Sequence, residues 1–387
     1  MAQIEWNTAA TADDEAKPLR GVRVLELARM LAGPWCGQLL ADLGAEVIKI
    51  ERPGGGDDTR HWGPPFVMSE QGENLGAAYY HSTNRGKRSV AVDIATPAGQ
   101  DLVCQLARGA DIMIENYKVG ALAKYGLDHA TLAQLNPRLI TCSITGFGQN
   151  GPYAHRAGYD YIAQAMGGLM SMTGEAQREP QKAGIAVSDL FTGVYSAVAV
   201  LAALNRRQES KAGAHIDMAL LDTQVSVMAN QALNWMTSDI VPRRVGNGHA
   251  NLVPYQAFPT RNGDLIIAVG NDSQFANLCR VLETGLDRDA RFATNPDRVR
   301  NRRALIAALE ALTATCMRDE LADRLEAAGV PAGPINELDQ VFANPQVVAR
   351  GMAIERDGRH GVASPIVIDG VRMVSDLPAP GIPETID

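Results

Sequence analysis

An aspartate placed before an apolar helical run is the first residue of this sequence that could carry covalent chemistry. Asp160 follows Gly158 and Tyr159 and precedes the run 161–166. Unpaired N–H groups and the helix macrodipole keep a carboxylate at that position ionised at neutral pH, which is the state that a nucleophilic aspartate needs. The same placement is typical of an aspartate that only caps a helix. Because capping aspartates greatly outnumber nucleophilic ones, the residues alone favour the cap.

A glycine-rich loop flanked by Arg52 and Arg60 is the second candidate site. The segment reads RPGGGDDTR and follows a predicted strand over 46–50. Ligands of open parallel sheets bind at the carboxyl ends of the strands, where glycines let backbone N–H groups approach an anion and guanidiniums hold phosphate oxygens. The loop therefore suits a phosphate-bearing cofactor. A flexible surface loop with two solvated arginines fits the same residues, and for this segment alone that interpretation is favoured.

A second glycine loop is the third candidate. Gly246-Asn247-Gly248 leads through His249 into an aromatic strand near Tyr255. Such a loop can close over a substrate, and its histidine can donate a hydrogen bond to a substrate carboxylate. A histidine in a loop is more often simply solvated, so the sequence leaves both interpretations open.

Several other kinds of site are excluded by the motifs that the chain lacks. The turn after the first predicted strand, ARMLAGP, has no GxGxxG, and the chain has no GxxxxGK[ST], HExxH or GxSxG segment. No metal site is expected, because no CxxC pair occurs and the five cysteines are far apart in the sequence. Lysine and arginine number 36 against 44 acidic residues, a net charge of −8, which gives no footprint for nucleic acid or an anionic membrane.

Alternating apolar segments predict an open α/β domain in the first 150 residues. Buried strands are predicted over 22–27, 46–50, 89–94, 112–115 and 139–144, and helices over 35–43, 97–108 and 130–135. Strands that alternate with helices normally pair in parallel. These segments therefore predict one parallel sheet.

The length of 387 residues suggests two or three domains. We predict a flexible tail over 1–17, a large domain with a linker helix over 18–225, a small α/β domain over 226–330, and a final segment over 331–387. The small domain is expected to hold a strand over 264–269 and helices near 273–283, 302–315 and 319–328. The longest apolar run, 195–204, is about half of a membrane span, so no transmembrane helix is expected. The N-terminus lacks a targeting pattern, which indicates the cytoplasm.

Taken in order, several segments resemble the class III CoA-transferase family, also called CaiB/BaiF, from about Leu19 to about Val374. The matching segments are GVRVLELARMLAGP, GAEVIKIERPGGGDDTR, NRGKRSVAVDI, IENYKVGALAKYGL, TGFGQNGP with the following GYD, and GVPAGPINELDQVFANPQV. Within the family the chain most resembles the succinyl-CoA:dicarboxylate branch, which includes succinate–hydroxymethylglutarate (glutarate) CoA-transferase, through DDTRHWGPPFV, RAGYD and NLVPYQAF. Each segment alone is weak evidence, and their order makes the resemblance specific.

The resemblance implies an enzyme that moves CoA from an acyl-CoA donor, succinyl-CoA, to a carboxylic acid such as glutarate. Asp160 falls on the family's nucleophilic aspartate, so the resemblance reverses the preference for a simple cap. Family chemistry runs through an aspartyl mixed anhydride and an aspartyl-CoA thioester. CoA, as the acyl-CoA substrate, is the cofactor implied, with no metal and no nicotinamide.

The resemblance also implies which residues hold the substrates. The second carboxylate of the acceptor has Arg29, His249 and Tyr255 as candidate partners, with Gly248 in the covering loop. Whether Arg60 faces the nucleotide or Glu51 stays open. The residues implied for CoA are Met30, Leu31, Ala32, Arg52, Val92, Ala95, Asn116, Tyr117, Lys118 and Lys124.

The family fold implies a large Rossmann-like open parallel-sheet domain, completed by the C-terminal segment and joined by long linkers to a smaller α/β domain, in an interlocked homodimer. Two alternatives stay open. An α-methylacyl-CoA racemase of the same fold family uses a His/Asp pair and reads GHD where this chain has GYD, so its second base would have to be His129 or His155. A non-catalytic CoA- or nucleotide-binding protein would keep the arginine loop without needing an activated aspartate.

Overall fold

The computed structural model describes Trp6 and residues 17–383, which form two compact units. Unit 1 contains the chain up to Leu169, residues 182–238 and the chain from Pro345 onward, whereas unit 2 contains residues 170–181 and 239–344. The chain thus leaves unit 1 and later returns to it. Most of the predicted tail, 1–17, lies outside the described residues. Trp6 packs against the core of unit 1, and its ring lies 5.8 Å from the guanidinium carbon of Arg23.

Unit 1 is built on a six-stranded sheet in which every pairing is parallel, in the order β5-β2-β1-β6-β7-β8. The strands before residue 220 are β1 (Arg23–Glu26), β2 (Glu46–Glu51), β3 (Phe66–Met68), β4 (Asn74–Ala77), β5 (Lys87–Ala91), β6 (Ile112–Glu115), β7 (Ile140–Thr145) and β8 (Ala214–Ala219). The strand order reverses between β1 and β6, and open α/β sheets bind ligands at such a point. The predicted α/β class with a large parallel sheet is confirmed.

Helices cover both faces of this sheet, which explains why its central strands are buried at nearly every position. On β1, Val24 packs against α1 and α7, and Leu25 points to the opposite face, against α3 and α4. The helices before residue 239 are α1 (Ala32–Asp42), α2 (Ala78–His81), α3 (Pro97–Gly109), α4 (His129–Leu135), α5 (Asp160–Met166), α6 (Leu169–Met172), α7 (Val187–Ser210), α8 (Leu220–Ser226) and α9 (Ala229–Ser238).

Helix α7 is 24 residues long, and by length and composition it is able to cross a membrane. The sequence did not predict such a helix, because its longest uninterrupted apolar run, 195–204, is only about half of a membrane span. One side of α7 packs into the core of unit 1 through Ala197, Val200 and Leu204. Interior helices of globular proteins reach the same length and composition, so these two properties are weak evidence for a membrane span.

Some elements differ from the predictions. Strand β5 ends at Ala91 and not at 94, because Asp93 forms a turn in which its carboxylate accepts from the Ala95 N–H and its carbonyl accepts from the Thr96 N–H. The antiparallel hairpin of β3 and β4 and the edge strand β8 were not predicted. Helices α8 and α9 belong to unit 1, so unit 2 resumes at Asp239, whereas the predicted boundary was at 226.

Unit 2 has a three-stranded antiparallel sheet in the order β11-β10-β9, with its own apolar core. Its strands are β9 (Tyr255–Thr260), β10 (Gly263–Ala268) and β11 (Ala332–Pro334). Its helices are α10 (Asp272–Val281), α11 (Asn295–Arg300), α12 (Arg302–Thr313), α13 (Arg318–Ala327) and α14 (Leu338–Ala343). The predicted strand over 264–269 and the three predicted helices of this region correspond to β10, α10, α12 and α13.

Buried side chains bind the C-terminal segment to the rest of unit 1. Arg85 donates to the Val362 carbonyl at 2.8 Å, and Asp42 accepts from the Ser375 N–H at 2.8 Å. The segment contains α15 (Pro345–Ala349), β12 (Ala353–Arg356), β13 (Arg359–Val362), β14 (Val367–Ile368) and β15 (Val371–Arg372).

Candidate active site

The residues implied for CoA lie in loops that follow adjacent parallel strands of unit 1. Residues 29–32 follow β1, Arg52 follows β2, residues 92–95 follow β5 and residues 116–118 follow β6. Because these strands run in the same direction, the four loops lie at the carboxyl edge of the sheet. The structure therefore gathers at one edge residues that are far apart in the sequence.

Solvent reaches these side chains to very different degrees. The buried ones are Leu31, Ala32 and Val92, the partly buried ones are Met30, Asn116 and Tyr117, and the exposed ones are Arg52, Ala95, Lys118 and Lys124. Lys124 lies on a short 3-10 helix, with its Nζ 4.5 Å from the ring centroid of Tyr125. The exposed cations can be reached by phosphate groups from solvent, whereas the buried apolar residues can only line a cleft.

Two of the candidate arginines share one carboxylate. Arg29 Nη1 lies 2.8 Å from Asp58 Oδ2, and Arg52 Nη2 lies 2.8 Å from Asp58 Oδ1. The Arg52 side chain is 56% exposed, and ion pairs in such positions contribute only about 0–1 kcal/mol. An anionic ligand can therefore compete with Asp58 for either guanidinium.

Arg60, in contrast, faces Glu51 and is fully buried. Its Nε and Nη2 donate to the Glu51 carboxylate at 2.8 and 2.7 Å, and Nη2 also contacts the Tyr80 hydroxyl at 2.6 Å. Burial alone would raise the pKa of Glu51, but Arg60 and Lys49 outweigh it and lower the pKa to about 2. This arginine binds Glu51 in the protein interior, next to the glycine loop, and is not available to a nucleotide.

The carboxylate of Asp160 is held in one orientation by two helices. Asp160 is the first residue of α5, and its Oδ1 accepts from the backbone N–H groups of Ser188 and Asp189, at 2.8 and 3.3 Å, in the first turn of α7. Its Oδ2 accepts from Gln164 Nε2 at 2.6 Å. Gln164 is fixed in turn, because its Oε1 accepts from the Ala183 N–H at 2.9 Å.

These contacts leave the two oxygens of Asp160 in different chemical roles. Each carboxylate oxygen has two lone pairs, so Oδ1 with two donors is fully engaged and Oδ2 with one donor keeps a free lone pair. The residue is partly exposed, and its neighbours Tyr159 and Tyr161 are 58% and 56% exposed. The arrangement allows Oδ2 to attack an electrophile while the N–H groups of α7 polarise the remaining oxygen.

A second carboxyl group next to Asp160 was missed by the sequence analysis. Asp189 lies in the first turn of α7, and its carboxyl group has no hydrogen bond or ion pair among the described residues. Burial, and secondly the charge of Asp160, raise the pKa of Asp189 to about 7. The signal that could have found it was present, because Ser188-Asp189 also opens an apolar helical run.

Two aromatic residues belong to the same region of unit 1. Burial raises the pKa of Tyr79, and the negative charges of Asp189, Asp160 and Asp57 add to that effect, so all three carboxylates lie within electrostatic range of its hydroxyl. The Tyr79 ring packs edge-on against Trp62, with centroids 5.2 Å apart. Tyr79 is thus an aromatic residue within electrostatic range of the proposed nucleophile.

The candidate acceptor residues Gly248, His249 and Tyr255 lie in unit 2. His249 Nδ1 accepts from the N–H groups of Asn251 and Leu252, both at 3.1 Å, so a neutral imidazole carries its proton on Nε2. The ring centroids of His249 and Tyr255 are 5.1 Å apart. Arg302, which the sequence analysis did not select, donates to the His249 carbonyl at 2.7 Å and holds this loop.

The histidines considered for a racemase, His129 and His155, both lie in unit 1. His129 begins α4, stacks on His215 with centroids 4.6 Å apart, and contacts the Thr141 hydroxyl at 3.1 Å. His155 is exposed. Across residues 17–383, no hydrogen bond or ion pair joins a histidine to Asp160 or Asp189. The His/Asp pair that racemase chemistry requires is therefore not formed by these contacts.

Comparisons with known proteins show which family the chain resembles over its length. The family model of CoA-transferase family III matches residues 19–383. A succinate–glutarate CoA-transferase of Agrobacterium fabrum is 53% identical, over 95% of this chain and 93% of the relative. A succinyl-CoA:glutarate CoA-transferase of Mus musculus is 43% identical, over 94% of this chain and 83% of the relative. The crystal structure of a CaiB/BaiF family protein from Brucella suis has a TM-score of 0.86 and 53% identity, covering 95% of this chain and 96% of that one.

Proposed function

The chain belongs to CoA-transferase family III, and we propose that it transfers CoA from succinyl-CoA to glutarate. Its family, and its similarity to known CoA-transferases, show that it is a CoA-transferase. The observation that carries the choice of substrates is the 53% identity, over nearly the full length of both chains, to a succinate–glutarate CoA-transferase.

The nucleophile that we propose is Asp160, as the resemblance implied, with Oδ2 as the attacking atom. Oδ2 keeps a free lone pair, and its hydrogen bond from Gln164 fixes the direction in which that lone pair points. Oδ1 then becomes the carbonyl oxygen of the aspartyl intermediates. The N–H groups of Ser188 and Asp189 already point at it and would stabilise the negative charge that forms there when a second nucleophile attacks.

The reaction balances without a proton donor. The Asp160 carboxylate attacks the thioester carbonyl of succinyl-CoA, the C–S bond breaks, and CoA leaves as the thiolate. The thiolate attacks the aspartyl carbonyl of the mixed anhydride, and succinate leaves with the electron pair. Glutarate attacks the resulting aspartyl-CoA thioester and expels the thiolate again, which then attacks the glutaryl carbonyl. Glutaryl-CoA forms, Asp160 is restored, and the energy of the thioester is kept as long as water is excluded.

The loops at the carboxyl edge of the sheet are the proposed CoA site. Arg52, Lys118 and Lys124 are exposed cations suited to phosphate groups, and Leu31 and Val92 are buried apolar neighbours. We also propose the partners of the acceptor's far carboxylate. His249 offers an Nε2–H donor, since its Nδ1 is already an acceptor, and Arg29 and Tyr255 are the further candidates.

An exposed apolar row on α7 supports the homodimer that the resemblance implied. Phe191, Val194, Tyr195 and Val198 recur at the spacing of one helix face and are between 42% and 56% exposed. Contiguous apolar surface of this kind marks an interface, and we propose that a second copy of the chain covers it in an interlocked dimer. Analytical ultracentrifugation over a dilution series tests this, with an expected mass of twice 41.4 kDa. A folded monomer at any concentration would contradict interlocking.

The function is tested by incubating the protein with succinyl-CoA and a panel of carboxylic acids and measuring new acyl-CoA masses. We expect glutaryl-CoA, with little free CoA. If no acid accepts CoA and a chiral 2-methylacyl-CoA exchanges its α-proton with solvent, the racemase alternative replaces this proposal. Binding of CoA without either reaction would favour the non-catalytic alternative.

We also propose that the reaction takes place in the cytoplasm.

The nucleophile is tested by trapping the aspartyl intermediate. Hydroxylamine added with succinyl-CoA converts an aspartyl anhydride or thioester to a hydroxamate, and peptide mass spectrometry locates the modified residue. We expect the modification on Asp160, none in Asp160→Asn, and its persistence in Asp189→Asn. Modification of Asp189 in place of Asp160 would move the nucleophile to the neighbouring carboxyl group.

A further inference from the structure

The loop between β1 and α1 is held by side chains from three other segments of unit 1. Lys49 Nζ donates to the Ala28 carbonyl at 2.6 Å. The Asn116 side chain accepts from the Arg29 N–H at 2.9 Å and donates to the Arg29 carbonyl at 2.7 Å. Asp57 Oδ1 accepts from the Met30 N–H at 3.3 Å. Three successive residues of the loop therefore have backbone groups bound by polar side chains.

The loop needs this restraint because its conformation is not one that its residues prefer. Met30 has a φ of 69°, in the left-handed region that a residue with a Cβ rarely adopts. Leu31, the N-cap residue of α1, provides no side-chain cap. A backbone in that region persists only when the surrounding structure imposes it. Here the surrounding structure is the set of contacts made by Lys49, Asp57 and Asn116.

Two of these three residues are themselves fixed by a buried ionic network. Lys49 has no solvent exposure and lies 3.0 Å from Glu26 and 3.1 Å from Asp57. Lys87, also fully buried, lies 2.8 Å from the other oxygen of Glu26. A Cβ at position 37 of α1 would lie 1.9 Å from Glu26 Oε2, so Gly37 makes room for this carboxylate beneath the helix. Because unpaired charges are costly to bury, each partner restrains the others.

We propose that Asn116, Lys49 and Asp57 are positioning residues that hold the loop Ala28–Leu31 in the conformation that receives acyl-CoA. This inference rests on the proposed function, because the family resemblance places Met30 and Leu31 at the CoA site. A loop that is ordered before binding loses less conformational entropy when the substrate arrives. Asn116 therefore acts through Arg29, because its side chain binds both the N–H and the carbonyl of that residue.

The test compares Asn116→Ala with Asn136→Ala. Asn136 is a matched control, because its side chain likewise both donates to and accepts from the backbone of unit 1. Its Nδ2 donates to the Ala107 and Ala110 carbonyls at 3.0 and 2.9 Å, and its Oδ1 accepts from the Arg138 N–H at 3.1 Å. Hydrogen–deuterium exchange of a peptide covering 27–34 measures the order of the loop directly. Steady-state kinetics give KM for succinyl-CoA and for glutarate separately. If Asn116→Ala does not fold, Asn116→Asp, which keeps the acceptor for the Arg29 N–H, takes its place.

We expect Asn116→Ala to speed exchange in this peptide and to raise KM for succinyl-CoA about tenfold, a larger factor than for KM for glutarate, which changes only as far as Arg29 contacts the acceptor. Asn136→Ala is expected to change neither. Unchanged exchange in Asn116→Ala overturns the proposal whatever the kinetics show. Faster exchange with an unchanged KM for succinyl-CoA also overturns it, since the order of the loop would then have no bearing on the substrate.

Failure of the proposed function gives a different result. In that case the unmutated protein forms no glutaryl-CoA, and calorimetric titration of each variant with free CoA replaces the kinetic measurement. A weaker affinity for CoA in Asn116→Ala than in Asn136→Ala would still support the positioning role. Equal affinities would refute it.

Discussion

The carboxyl group of Asp189 is expected to cost the folded protein stability at neutral and alkaline pH. Burial, and secondly the charge of Asp160, raise its pKa from an ordinary value of 3.8 to about 7. The folded chain therefore keeps this proton over a pH range in which the unfolded chain has released it. Stability falls wherever the folded state binds more protons than the unfolded state, so this group lowers stability as the pH rises from about 3.8 to 7.

The size of the effect follows from the titration of one group. The free energy of unfolding falls by about 1.4 kcal/mol for each pH unit in that range, which adds up to about 4 kcal/mol. Asp189→Asn keeps nearly the same shape and cannot ionise. Because the carboxyl group has no hydrogen-bonding partner among the described residues, the substitution breaks no hydrogen bond of that side chain. We therefore expect Asp189→Asn to be more stable than the unmutated protein at pH 8, with a gain about 3 kcal/mol larger than at pH 5.

The assay is urea unfolding at pH 5 and pH 8, followed by circular dichroism at one protein concentration. Asp128→Asn is the matched control, because Asp128 also stands at the start of a helix, but hydrogen bonds from Thr131 outweigh burial and lower its pKa. This control is expected to bring no gain at pH 8. In an Asp160→Asn background the gain from Asp189→Asn is expected to shrink, since burial alone then raises the pKa of Asp189. A gain that is equal at the two pH values, or absent at pH 8, would refute the reasoning.

Three further predictions concern the buried ion pair of Arg60 and Glu51 and the binding of the acceptor acid. Arg60→Met removes the cation that is hydrogen-bonded to the buried Glu51 carboxylate, and we expect the free energy of unfolding in urea at pH 7 to fall by about 3–5 kcal/mol, with a partial recovery when Glu51→Gln is added. The pKa of Glu51 is about 2 in the folded protein against an ordinary value of 4.5, so the unfolded chain binds the proton first as the pH falls. Stability is therefore lost between about pH 4.5 and 2, by about 3 kcal/mol in total, and Glu51→Gln is expected to show a smaller loss in acid titrations followed by circular dichroism. His249→Ala is expected to raise KM for glutarate more than KM for a monocarboxylic acid, and an unchanged acceptor profile would exclude His249 from carboxylate binding.

Much of unit 1 was predictable because its central strands are buried on both faces. The runs that became β1, β2, β6 and β7 each contain several apolar residues and are buried at nearly every position, which is typical of a parallel sheet covered by helices. The hairpin of β3 and β4 and the edge strand β8 have no such pattern, because solvent reaches one or more of their sides. The long helix α7 was expected as an apolar segment, but its exposed row is not visible without knowing which side faces the core.

By itself the sequence determined the family, the α/β class and the segments that meet at the carboxyl edge of the sheet. Strand periodicity and the order of the motifs can be read along the chain without knowing which residues meet in space. It also selected Arg52 and Arg60 as one pair, and only the tertiary structure separated them, since Arg60 is buried on Glu51 and Arg52 is exposed. The same holds for the carboxylates. Motif order selected Asp160, whereas its N–H donors and its neighbour Asp189 reach it only when α5 packs against the first turn of α7. Burial, charge proximity and the use of each hydrogen-bonding group depend on residues distant in the chain, so folding alone decides them.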